Sequence, residues 1–135
     1  NQAEAREADI RQAGLAIVKR AYQLCRDGKY DVTLIVAALR GAYHMAGLTG
    51  GALVMSVHPK IQKLLLAPDM PRAPDKIAEP VPDDVIRRLS AMPEFRKAYE
   101  PDGLAPKEFV AYGVTQRTLA QFVASGWGRL EGYKV

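Results

Sequence analysis

Two short segments of this sequence place chemistry-bearing side chains at defined points. In Ala37-Ala38-Leu39-Arg40-Gly41 an apolar run ends in a guanidinium and a glycine. If the run is a strand its side chains alternate, so Leu34, Val36, Ala38 and Arg40 share a face, and the small Ala38 leaves room for a ligand below Arg40. A guanidinium so placed suits phosphate, because its planar fork donates paired, charge-assisted hydrogen bonds. The plainer reading is an arginine on the surface or in a salt bridge. The second segment, Ser56-Val57-His58-Pro59, also follows an apolar run and offers Ser56 and His58 as rim residues of a pocket. His58 has the chemistry of a general acid or base, but no partner stands at a telling spacing, and a hydrogen-bonded loop histidine is the simpler assignment. His44 belongs to no metal-spaced cluster. Cys25 falls on an apolar helical stripe and reads as a small buried hydrophobe. The sequence contains no P-loop, GxGxxG, zinc spacing or nucleophile elbow, so no metal site is expected.

The elements that must carry these residues follow from periodicity. From Gln2 to Asp27, Ile10, Ala13, Ile17, Ala21 and Leu24 recur at the helical period, with Val18 and Cys25 widening the stripe and Gly28 offering a left-handed stop. Asp31 to Leu39 is short, β-rich and almost continuously apolar, as a parallel strand covered on both faces would be. A short helix is expected around Ala42 to Leu48, broken by Thr49-Gly50-Gly51 before a second buried strand, Ala52 to Val57. Pro59 then suits the first turn of a helix reaching Ala67. Five of the nine prolines fall between Pro68 and Pro82, which predicts an extended surface connection over 68–82. Helices are predicted from Asp83 to Met92, from Pro93 to Tyr99 and from Pro106 to Trp127. The order helix, strand, helix, strand, helix implies parallel βα units, because parallel strands need a crossover rather than a hairpin.

Composition sets the outer limits. At 135 residues, against about 150 per domain, there is one domain; 48% of residues are apolar and 25% charged, enough for a core. The longest apolar run, Leu34 to Leu39, falls far short of the roughly 20 residues of a membrane span, and the charged opening Asn1 to Arg11 is not a signal peptide. No membrane partner is expected. Nineteen Lys and Arg against fifteen Asp and Glu give a net charge of +4, with acids interspersed among the bases, so no nucleic-acid partner is expected either. A single cysteine makes no internal disulfide, which leaves the cytoplasm as the expected compartment. The chain opens without methionine, in what reads as mid-helix, and is expected to be a fragment.

Four motifs then occur in one order. They are Ile17-Val18-Lys19-Arg20-Ala21-Tyr22 continuing through Lys29 to Arg40, Leu48-Thr49-Gly50-Gly51 continuing to Pro59, Pro93-Glu94-Phe95-Arg96, and Gln116-Arg117-Thr118-Leu119. Through them the chain, from Gly14 to its end, resembles the C-terminal part of transaldolases. The first looks like the family's helix six and strand seven, which ends in Ala-Ser-Phe-Arg; the second is similar to its Leu-Thr-Gly-Cys-Asp and strand eight. The resemblance implies that residues 1–135 are the C-terminal part of a (β/α)8 TIM barrel with additional C-terminal helices, stable only with the remainder of the barrel or a complementary subunit. A homodimer is among the assemblies it admits.

The activity implied is transfer of a three-carbon dihydroxyacetone unit between sugar phosphates through a lysine Schiff base, without metal or organic cofactor. That lysine sits on an earlier strand, so no catalytic residue is expected in this segment, which alone should be inactive; Lys60 and Lys63 lie in the wrong unit. Arg40 matches the family's phosphate-binding arginine. Ala38 stands where the family has serine and Leu39 where it has an aromatic, which removes one hydroxyl donor and also admits a sugar without a terminal phosphate. The alternative is a noncatalytic sugar- or phosphate-binding or scaffold protein derived from the barrel.

Overall fold

Helix α1, Glu7–Asp27, forms over the apolar period, with Glu7 and Asp9 in its first turn and Arg26 in its last, each charge favourable to the helix dipole. The computed structural model describes residues 6–69 and 74–133; residues 2–5 of the expected first helix, and Met70 and Pro71 of the proline-rich stretch, lie outside them. The face α1 turns to the core is centred on Leu15 and Ala16 and includes Asp9, while Ile10 of the expected stripe is 54% exposed. The helix end also differs from expectation. Gly28 stays right-handed at φ −75°, and Lys29 takes the left-handed turn at φ 51°. The Lys29 and Tyr30 N–H groups then close on the Arg26 and Cys25 carbonyls, so the last turn's acceptors are satisfied one residue later.

Strands β1, Ile35–Val36, and β2, Val54–Met55, pair in parallel, with Ile35 opposite Val54 and Val36 opposite Met55. Between them lies helix α2, Ala42–Gly47, the crossover that a parallel pair requires. Helix α3, Pro59–Leu65, follows β2 with proline in its first turn. Thr49 and Gly50 fasten the chain beyond. The Thr49 carbonyl accepts from the Lys76 and Ile77 N–H groups, and its hydroxyl bonds to the Ala46 and Pro74 carbonyls. Gly50, at φ +80°, could not carry a side chain there, because a Cβ would lie 2.5 Å from the Asp75 carboxyl carbon. Lys19 of α1 donates to the carbonyls of Lys76 and Glu79, so Pro74–Pro82 is held against the body rather than laid loosely over it.

Helices α4, Asp83–Ser90, and α5, Pro93–Tyr99, close the core against α1. Leu89 is fully buried there, with Leu48, Phe95, Met45 and Val36 in the same cluster. One polar contact pins the arrangement. Arg88 grips the carboxylate of Asp9 with two bonds of 2.8 Å and that of Asp84 with a third, and the Asp9 side chain is 5% exposed. Arg88 holds the carboxyls of Asp9 and Asp84 below their ordinary range.

Several expectations fail here. The barrel reading is overturned: the chain is about 60% helix and 3% strand, and among the described residues β1 and β2 bond only to each other. The expected strands shrink to two residues each because Val32 is 60% exposed with no strand partner among the described residues, and Ala38 turns to φ 55°, which ends extension at the carboxyl side. Neither strand is covered on both faces, since Ile35 is 71% and Val54 52% exposed. The expected long C-terminal helix is likewise divided. A 3₁₀ segment at Pro106–Ala111, extended Tyr112, helix α6 at Gly113–Phe122, a π-helical turn at Val123–Trp127 and helix α7 at Gly128–Glu131 replace it. No described helix is long and apolar enough to cross a membrane.

Candidate functional site

The loop from β1 to α2 is built around one buried anchor. Val36 ends the strand, Ala37 and Ala38 turn outward, Leu39 plugs into the core at 8% exposure, and Arg40 emerges on the surface. The left-handed turn at Ala38 breaks strand alternation, so the expectation of one shared face for Leu34, Val36, Ala38 and Arg40 does not hold beyond Val36. An alanine in that conformation costs about 1–2 kcal/mol, strain that only a well-determined loop retains. Among the described residues the Arg40 guanidinium forms no hydrogen bond and no ion pair.

What determines the loop is His44. Its Nδ1 accepts the Arg40 backbone N–H at 3.1 Å, from one turn into α2. A histidine nitrogen that accepts is unprotonated, so in neutral His44 the proton sits on Nε2. Nε2 is buried against Gly14 of α1, where a Cβ would come within 3.4 Å of it. The Tyr43 ring lies 4.4 Å away, centroid to centroid. Burial lowers the His44 pKa from its ordinary 6.5, the Arg11 backbone carbonyl opposes this, and the positive charge of Arg40 adds to it. Behind the loop is an apolar cavity of about 190 Å³, bounded by Leu15, Val18, Ala38, Leu39 and His44.

Ser56 and His58 leave the same carboxyl edge, because the strands are parallel and in register. The Ser56 N–H donates to the Val36 carbonyl at 2.8 Å, so its backbone extends the ladder while its side chain is exposed. His58 caps α3: its Nδ1 accepts the Lys60 N–H at 3.2 Å. That nitrogen is therefore occupied by a backbone donor, and His58 is a capping residue in this structure. Lys60 and Lys63 are exposed on α3, and no group of three or more potential metal ligands occurs among the described residues.

A second concavity, of about 420 Å³, opens at the far end of α1 and was not singled out by sequence. Tyr22, Cys25, Arg26, Lys29 and Tyr30 line it. The Tyr22 hydroxyl accepts the Ala52 N–H at 3.1 Å, and this donor, reinforced by Arg26, lowers the phenol's pKa. These contacts tie α1 to the start of β2, with Cys25 half-buried beside them.

The histidine behind Arg40 carried one legible signal, a spacing of four residues into a predicted helix, and sequence reasoning passed over it. Compared with known proteins, the chain matches no family model, no curated protein and no solved structure, so its likeness to transaldolases rests on the four short motifs alone.

Proposed function

We propose that this chain supplies the anion-holding end of a transaldolase-like transferase. In this reading Arg40 receives the phosphate, or the hydroxyl-rich end, of a sugar phosphate, and the lysine that forms the Schiff base with the ketone lies outside this sequence. The observation that carries the reading is the Arg40 guanidinium, unpaired among the described residues and presented at the carboxyl edge of a parallel strand pair on a loop fixed by Leu39 and His44. With no partner among the described residues, the guanidinium keeps its five donors for a ligand. The four motifs supply the rest of the reading, namely the class of reaction.

Two measurements test it. Borohydride reduction of the complete protein with sedoheptulose 7-phosphate should trap an adduct on a lysine outside this sequence. Absence of an adduct with this and other ketoses would instead favour a noncatalytic sugar- or phosphate-binding protein. Arg40→Ala should raise KM for phosphorylated sugars about ten- to a hundredfold, the range of a lost hydrogen bond to a charged group, and change KM for unphosphorylated ones little. An equal effect on both would mean that Arg40 does not read phosphate.

A further inference from the structure

We infer that His44 is the positioning residue of the anion site: in its Nε2–H form it holds the Arg40 backbone through Nδ1, and loss of that acceptor releases the loop. The inference rests on the reading of Arg40 as the anion-binding group and adds to it a second residue and a dependence on pH.

The geometry is specific. Arg40 lies between a left-handed alanine at φ 55° and Gly41, whose backbone is fully extended at φ 178°, ψ 173°. Neither neighbour belongs to a helix or a strand, so regular hydrogen bonding does not hold the Arg40 peptide. The described contacts that fix it are the buried Leu39 side chain on one side and the N–H to Nδ1 bond on the other. The imidazole cannot easily turn away. Gly14 of α1 faces Nε2, the Tyr43 ring packs on one side, and the ring edge closes the apolar cavity behind the loop.

Protonation changes the role of Nδ1 from acceptor to donor. The imidazolium then opposes its N–H to the Arg40 N–H, and the bond that fixes the loop becomes a repulsion. The charged groups facing His44 do not offset this. The charge acting on the imidazole is that of Arg40, which disfavours the imidazolium, and from α1 the Arg11 backbone carbonyl is the one group that favours it. Anion affinity should therefore fall on acidification. Simple accumulation of positive charge at His44 predicts the opposite direction, so the sign of the pH dependence separates positioning from bulk electrostatics.

Sulfate is the suitable probe, a tetrahedral dianion that, unlike phosphate, does not itself titrate between pH 5 and 8. Binding to the complete protein, followed through the Arg40 amide and guanidinium nitrogens by NMR, should weaken about three- to tenfold as His44 titrates, the effect of one hydrogen bond. His44→Phe should weaken it by the same factor at every pH. His44→Asn, whose side-chain oxygen can replace Nδ1 as acceptor, should restore the affinity and abolish the pH dependence, which a merely structural role would not do. At pH 7.5 the His44 nitrogen shifts should report an unprotonated Nδ1. If Arg40→Ala binds sulfate as well as the unaltered protein, the anion-site reading itself fails. If Arg40→Ala loses binding while His44→Phe matches the unaltered protein, or while affinity rises on acidification, that reading stands and the role of His44 is overturned.

Discussion

Helix α1 and the run from α6 through the π-helical turn to α7 are amphipathic segments of similar length, with comparable apolar spacing in sequence. In α1 the apolar face is taken up by α4, α5 and the β1–α2 loop: Leu15 and Ala16 are buried, and Ala13, Ile17 and Val18 pack against the core. In the C-terminal run the corresponding side chains stand in solvent, with Phe122 71%, Trp127 61%, Leu130 69% and Tyr133 77% exposed. The bond from the Tyr112 hydroxyl to the Glu94 carbonyl ties the start of that run to α5. Periodicity specifies that a helix forms and which face is apolar. What covers that face depends on long-range partners such as Arg88, seventy-nine residues from Asp9.

This contrast is broken most sharply at Leu89, where α1, α4 and α5 meet. Leu89→Ala should cost about 2–5 kcal/mol, the range for emptying a fully enclosed leucine site. Equilibrium urea unfolding reads it as a lower midpoint at unchanged slope. A smaller loss is expected from Asp9→Asn, which leaves the Arg88 guanidinium partly buried against a neutral side chain; thermal unfolding near pH 6.5 should fall by roughly 5–10 °C. The pH dependence fixes the cause. Arg88 depresses the folded-state pKa of Asp9 below the ordinary 3.8, so the carboxylate's contribution is complete above that value and is lost as pH falls through the lowered one. The gap between Asp9→Asn and the unaltered protein should therefore persist down to about pH 4 and close below it. A gap that is constant to pH 2 would mean that Asp9 acts through packing rather than charge.

The same particulars show how far sequence reasoning reaches. The apolar runs Asp31 to Leu39 and Ala52 to Val57, with a helix expected between them, made the parallel pair legible, because only a crossover joins parallel neighbours. Their length was not legible. An apolar run reads alike whether its edges are paired or bare, and here Val32 has no strand partner among the described residues while Ala38 turns left-handed and Leu39 is buried. That is why a barrel inferred from resemblance does not survive. Arg40 was found from its place after a strand, whereas its lack of partners among the described residues and its link to His44 appear only in the folded chain. The pairing of Asp9 with Arg88 was not legible at all, since no local pattern announces a partner on α4.

The smallest effects should come from the exposed run, and they sharpen the comparison from its other side. Phe122→Ser should change stability by less than about 0.5 kcal/mol, because a side chain already in water loses neither transfer energy nor packing on truncation. Trp127 supplies an internal check as the sole tryptophan. Its indole N–H bonds to Glu131 at 2.7 Å within the same run, so a wet ring and an intact helix coexist. Fluorescence of the unaltered protein should show the red-shifted emission of a solvated indole and move little on unfolding. A blue-shifted emission, or a Phe122→Ser loss approaching that of Leu89→Ala, would mean that this face is covered in solution. The two amphipathic segments would then differ in what covers them rather than in whether they are covered.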